Sequence, residues 1–147
     1  MTAYVFDAEP LIAYFYDEAG ASAVADRLRE VENGAAAGAI SHATAAELVY
    51  KVARLETGAP NQQTPNAEQR NVGERDLRIL RGFGITVETP PVELVARIKT
   101  MGGISLGDAY AAALAADRDT TLVVGADPEF EALPVEVTVQ RVRDEPA

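Results

Sequence analysis

Short apolar runs alternate along this chain with longer stretches in which apolar residues recur every three or four positions. Residues 3–6 form a short apolar run that predicts a buried strand, closed by Asp7. Pro10 suits the first turn of a helix, where a missing N–H costs nothing, and Leu11, Tyr14 and Phe15 give that helix an apolar face. A second helix is predicted over 21–32, stopping at Asn33-Gly34, and a minimal strand over 39–41. Leu48, Val52 and Leu55 lie at helical spacing within a third helix over 44–56. The polar stretch 58–66, rich in Pro and Asn, reads as a loop. Beyond it the pattern predicts a helix over 67–81, a strand over 85–87 and a helix from Pro91 to about Thr100. A further helix opens at Ser105 or Gly107 and runs through Ala116, followed by a strand over 121–124 and a short helix started by Asp127-Pro128. Residues 135–142 alternate apolar and polar, as in a half-exposed final strand.

Strands alternating with helices imply an α/β layer structure with a mostly parallel sheet. The chain shows no internal repeat and no long linker, so residues 1–147 read as one domain. In such sheets ligands bind beyond the carboxyl ends of the strands, near the switch in strand order. The polar residues that follow strands are therefore the informative ones.

Composition narrows the chemistry. There is no Cys and one His, which excludes a disulfide framework, a thiolate metal site, a Cys nucleophile and a His-rich zinc site. No apolar run reaches the length of a membrane span and no signal peptide opens the chain, so a cytoplasmic location is expected. The formal net charge is −10, which at face value argues against a general nucleic-acid binder. Of 13 basic residues only Lys51 and Lys99 are lysines. Abundant carboxylates with scarce lysine resemble the surface of salt-adapted proteins; in molar salt the Debye length falls to about 3 Å and surface carboxylates repel weakly. The alternative is a protein that is simply acidic.

Four acids stand in apolar or small-residue surroundings. Asp7 ends the first strand, Glu47 lies one turn into the third helix, Asp108 opens a helix and Asp127 follows the fourth strand. Singly, each has an ordinary explanation. Asp108 and Asp127 suit helix N-termini, Glu47 can pair with Lys51 at i, i+4, and Asp7 can be a turn residue. Thr44 with Glu47 three residues on also matches a capping box. Gathered at one sheet edge, however, four carboxylates repel unless they are protonated or bind a cation. An all-carboxylate site suits Mg²⁺ or Mn²⁺, which take oxygen ligands.

These segments, in this order, resemble the PIN-domain ribonucleases, most closely the VapC-like toxins of toxin–antitoxin pairs. Val-Phe-Asp-Ala-Glu-Pro-Leu-Ile-Ala-Tyr-Phe (5–15) is similar to the family's first strand, first acid and first helix. Ser-Leu-Gly-Asp-Ala-Tyr-Ala-Ala-Ala-Leu-Ala (105–115) resembles its most recognisable motif, and Gly-Ala-Asp-Pro-Glu-Phe (125–130) the segment that carries its fourth acid. Glu47 matches its second acid. The resemblance implies a PIN-like three-layer α/β/α fold with a parallel five-stranded sheet. It also implies Mg²⁺ or Mn²⁺ held by Asp7, Glu47, Asp108 and Asp127, endonucleolytic cleavage of RNA, a cognate antitoxin and a homodimer. Two positions depart from the pattern. Glu9 stands where a small hydroxyl residue is common, and its carboxylate is expected to point to solvent. Glu129 stands where a second acid is common, and is expected outside the ligand set.

Around the acids, Lys51 and Arg54 follow Glu47 at i+4 and i+7, on one helix face, and are candidate RNA contacts; the plainer alternative is a Lys51–Glu47 pair and a solvated Arg54. Arg75, Arg78 and Arg81 form a second stripe. His42 is expected to be a surface or capping residue and Ser105 a helix cap; Tyr14, Phe15 and Tyr16 are expected in core and dimer contacts. Two other functions remain in view. A haloacid-dehalogenase-like or receiver-like phosphotransfer domain wants Asp-x-Asp after the first strand and a Lys near a late strand, and Asp7-Ala8-Glu9 and Lys99 only approximate these. A PIN-like fold kept for binding would lack catalysis.

Overall fold

A computed structural model describes residues 2–143 of the chain. Five strands form one parallel sheet: β1 (Thr2–Phe6), β2 (Ala36–Ser41), β3 (Thr86–Glu88), β4 (Thr121–Val124) and β5 (Thr138–Arg141), in the order β3-β2-β1-β4-β5. Six α-helices flank it: α1 (Ala8–Phe15), α2 (Ala21–Glu32), α3 (His42–Glu56), α4 (Ala67–Gly82), α5 (Val92–Met101) and α6 (Leu106–Arg118). The chain builds outward from β1 through β2 to β3, then crosses back and builds the other half through β4 and β5. The strand order therefore reverses between β1 and β4, which puts the crevice of this α/β sheet there.

The period of two along the strands divides two cores. Tyr4, Phe6, Ile40 and Val123 face one layer, where Leu11, Val24, Leu28, Leu48, Val52 and Leu80 cover them from α1–α4. Val5, Ala39, Leu122 and Val124 face the other, against Val95 and Ile98 of α5 and the alanines of α6. Ala109, Ala111, Ala112, Ala113 and Ala115 are all buried, and their short side chains let α6 seat close against the sheet. This is the three-layer arrangement that the alternation of strands and helices implied.

Several element boundaries differ from expectation by one to a few residues, and three of the differences have a tertiary or capping reason. β2 begins at Ala36, earlier than its Ala- and Gly-rich start suggests, because β1 pairs with it from Thr2↔Ala36 onward and overrides weak strand propensity. β5 spans four residues and leaves Val135–Val137 outside the ladder, since β4 has only four residues to pair, Thr121↔Thr138 to Val124↔Arg141. Helix α3 starts at His42 rather than Thr44. Ser41 is its cap: the hydroxyl accepts from the Thr44 N–H at 2.9 Å, and Thr44 is buried inside the first turn. The capping box that Thr44 and Glu47 offered as the rival reading is therefore absent, and Glu47 is left without a capping role. A capping box does occur at α4, between Asn66 and Gln69.

Helices α3 and α4 approach closely. At Gly73 a Cβ would lie 2.2 Å from the carbonyl oxygen of Val49, in the backbone of α3, which cannot yield as a side chain can. Gly73→Ala is accordingly expected to destabilise the protein by about 1–3 kcal/mol, although alanine is the better helix former. Denaturant unfolding monitored by circular dichroism checks this; an unchanged midpoint would mean that the two helices separate without cost.

Candidate metal centre

The acids reach one cleft by different routes. Asp7 is the first residue past β1, and its own N–H bonds to the Val123 carbonyl at 2.9 Å, so the backbone of the two central strands holds it at the strand-order switch. Asp108 sits in the first turn of α6, whose cap is Ser105, as expected; the Ser105 hydroxyl accepts from the Asp108 N–H at 3.3 Å. Asp127 follows β4 and caps the single 3-10 turn Pro128–Phe130, its carboxylate accepting from the Glu129 N–H at 2.9 Å. Glu47 projects from α3 and pairs with Lys51 at 3.2 Å. All four line a cleft of about 640 Å³, together with Glu9, Glu129, Lys51 and Arg143.

One oxygen each from Asp108, Asp127 and Glu129 lies within 4.8 Å of the others. Glu129, expected outside the ligand set, is thus part of the tightest carboxylate group among the described residues. Its Oε1 also accepts from the Ser105 N–H at 2.7 Å, which ties the 3-10 turn to the start of α6. Glu9 differs from expectation too: it does not turn to solvent but lines the cleft and forms an ion pair with Arg143.

Two glycines make room for these acids. A Cβ at Gly107 would fall 1.5 Å from a Glu47 carboxylate oxygen, and one at Gly125 would fall 2.4 Å from the Glu9 carboxyl carbon. The side chains of Glu47 and Glu9 therefore pass directly over bare backbone. Two arginines went unnoticed in the sequence because no local spacing marks them. Arg141 donates to the carbonyls of Gly125 and Asp127 at 3.2 and 3.0 Å and braces the segment that carries Asp127. Arg143 enters the cleft from the end of β5.

Crowding and burial show in the acidities. Asp108 is pushed up to about 10, first by burial, then by its hydrogen bond to Glu129 and the charges of Asp7, Glu129 and Asp127. Asp7 is pushed up to about 7, again chiefly by burial and by the Glu47 charge, against the opposing Ala8 N–H and Lys51. Glu129 is held below its usual range, mainly because it accepts the hydrogen bond from Asp108. Without a cation, the centre keeps protons that carboxyl groups ordinarily lose. An all-oxygen donor set under mutual repulsion fits a hard divalent cation, which offsets that repulsion.

The other candidates lie apart from this centre. Arg54 is exposed, stacks over the Tyr50 ring at 4.8 Å and lines a neighbouring groove with residues 60–65. Arg75, Arg78 and Arg81 are exposed on α4. His42 is exposed and its Nδ1 lies 2.7 Å from the Thr89 hydroxyl. Lys99 donates to the Ile104 carbonyl at 2.7 Å and does not line the acidic cleft, which removes the lysine that a phosphotransfer site would use. Tyr14 and Phe15 pack edge-on at 5.1 Å against the core, and the Tyr16 hydroxyl donates to Glu56 at 2.5 Å. No helix among the described residues is long and apolar enough to cross a membrane.

The raised pKa values carry a stability consequence. A carboxyl whose folded pKa lies above its unfolded value stabilises the fold while protonated, and that stability is lost as pH rises through the folded pKa. In chelator, the melting temperature should fall between pH 5 and 8 as Asp7 ionises, and Asp108 extends the loss toward higher pH. Asp108→Asn should flatten this dependence and, at pH 8, stabilise the metal-free protein by on the order of 1–2 kcal/mol. A loss of stability on that substitution would mean that the carboxylate has a structural partner, such as the N-terminus of α6.

Comparison with known proteins agrees with this architecture. The PIN domain family model matches residues 4–136. No curated protein sequence matches. Among solved structures, VapBC2 from Rickettsia felis, bound to a DNA fragment from its promoter, is similar with a TM-score of 0.67 at 15% identity, covering 95% of this chain and 98% of that one. DNA-bound VapBC from Salmonella typhimurium gives 0.60 at 17% identity, with 97% and 99% covered. FitAcB from Neisseria gonorrhoeae gives 0.58 at 23% identity, with 92% and 95% covered. At these identities the likeness is one of fold.

Proposed function

Since the chain belongs to the PIN domain family, we propose that it is a Mg²⁺- or Mn²⁺-dependent endoribonuclease, a single domain over residues 1–147, and the VapC-like toxin of a toxin–antitoxin pair. PIN domains are generally nucleases. The observation that carries the reading is the carboxylate centre at the switch between β1 and β4: Asp7 and Asp108 buried, Asp127 and Glu129 beside them, and Glu47 entering over Gly107. The similarity to VapBC2 from Rickettsia felis and VapBC from Salmonella typhimurium, both bound to DNA, supports a partner protein for this chain as well.

Asp7, Asp108 and Asp127 would hold the metal directly or through water, with Glu129 in reach of the same ion. A bound Mg²⁺ or Mn²⁺ supplies an activated water and offsets charge on the leaving oxygen of a phosphodiester. The chain's own groups do the rest. Glu47, free of a capping role, orients the attacking water from α3. Ser105 and Glu129 hold the start of α6 against the 3-10 turn, which fixes the spacing of Asp108 and Asp127. Arg141 keeps the Asp127 segment from drifting. Lys51 meets the substrate backbone at the cleft, and Arg54 extends that contact along the adjoining groove. A small antitoxin that presents a cationic side chain to the cleft would block it, and the protein would act as a two-fold dimer.

Two measurements test this. Cleavage of RNA should require Mg²⁺ or Mn²⁺, stop with a chelator, and fall by at least 10²-fold in Asp7→Asn or Asp108→Asn; Ca²⁺ should bind yet support little cleavage. Full activity in chelator would overturn the metal mechanism. A correctly folded protein that takes up no metal and cuts no RNA would favour a binding module. In an inactive Asp7→Asn background, Lys51→Ala and Arg54→Ala should each weaken RNA binding for all sequences alike and lower the salt slope by about one. Unchanged slopes would move the backbone contacts to the stripe of Arg75, Arg78 and Arg81.

A further inference from the structure

A polyanion entering this cleft meets seven carboxyl side chains and two cations, Lys51 and Arg143. Lys51 is exposed and shares its ammonium with Glu47. Arg143 is placed differently. Its side chain is only 10% exposed, its one terminal nitrogen pairs with Glu9, and its Nε has no hydrogen-bond partner among the described residues. An arginine buried to that degree normally has its donors satisfied, because an orphaned charged donor is costly. We infer that Arg143 is a phosphate-binding residue of this site, held ready by Glu9, and that the terminal face of its guanidinium, rather than the buried Nε, engages a non-bridging phosphate oxygen of bound nucleic acid. The inference rests on the ribonuclease reading above and adds a contact to it.

The surrounding structure fixes Arg143 in place. The Val142 N–H bonds to the Val124 carbonyl at 3.0 Å, and Gly20 packs so tightly that a Cβ there would lie 2.8 Å from the Val142 carbonyl oxygen. Arg141, two residues earlier, is anchored on the Gly125 and Asp127 carbonyls. On the facing side, Gly125 leaves the space that the Glu9 carboxylate fills, so Glu9 meets Arg143 at the rim of the metal centre rather than in solvent. The planar guanidinium presents several donors in a fixed fork, so one can stay on Glu9 while others engage phosphate. Glu9 thus acts as a positioning residue.

The test measures equilibrium binding of a labelled mixed-sequence RNA oligonucleotide to the Asp7→Asn protein in Ca²⁺, across a salt series, with melting temperature as the fold control. Adding Arg143→Gln should weaken binding about tenfold and lower the salt slope by about one, whereas Arg143→Lys should retain the slope. Glu9→Gln and Glu9→Ala remove the same charge, so the difference between them reports the clamp alone. Glu9→Gln, whose amide oxygen still accepts from the guanidinium, should bind more tightly than Glu9→Ala. Folded Arg143→Gln protein with unchanged affinity and slope overturns the phosphate contact and leaves Arg143 a neutraliser of the acidic cleft. Equal binding by the two Glu9 variants overturns the clamp. If Arg143→Gln does not fold, Arg143→Lys decides: a slope lowered by one despite the retained charge also overturns the inference. Absence of RNA binding by the Asp7→Asn protein itself is the separate result that would remove the ribonuclease reading and, with it, the phosphate contact.

Discussion

Burying carboxylates together is the constraint around which this structure is arranged. Asp7 and Asp108 are almost fully buried, and neither has an arginine or lysine as its immediate partner among the described residues. Burial opposes both charges, helped by the Glu47 charge at Asp7 and by the Glu129 hydrogen bond and neighbouring carboxylates at Asp108, which is why both pKa values rise. A fold under selection for stability alone would not keep such a pair. The cost is tolerated where the sheet order reverses, because there the strand ends and helix starts supply N–H groups to carboxylates. Asp127 takes the Glu129 N–H and Glu129 takes that of Ser105.

Small residues make that crowding sterically feasible. Gly107 and Gly125 are bare where Glu47 and Glu9 cross them, and the alanine face of α6 brings Asp108 close to the sheet. In each case a side chain is withheld so that a carboxylate can advance. The same device appears far from the site at Gly73, where it serves helix packing instead. The scarcity of bulk in this Ala-rich chain is therefore positional, and part of it is spent on the centre itself.

Charge sets the remaining problem. On the proposed ribonuclease reading, an acidic protein needs cations at the point of contact with its polyanion, whatever its net charge. β5 and the residues just past it place two arginines near the site: Arg141 braces the Asp127 segment and Arg143 reaches the cleft. The edge strand, which contributes little to the core, thereby links the stability of the sheet to the electrostatics of the site. A net charge of −10 says little about such local placement.

Much of this was legible in the chain. The period of apolar residues located every strand and helix, because burial on one face is a local pattern. Asp7, Asp108 and Asp127 could be singled out because each follows a strand or opens a helix, and topology sends such positions to one edge of a parallel sheet. Glu47 was harder, since Thr44 offered a rival local explanation that only the hydroxyl of Ser41, at the true helix start, removed. What the tertiary structure alone decided were pairings between residues distant in the chain. Glu9 faces Arg143 across 134 positions, and Glu129 joins Asp108 through the Ser105 N–H. Neither leaves a trace in spacing. Whether a carboxylate turns to solvent or to a guanidinium depends on which strand lands beside it, and that is settled only when β4 and β5 pair.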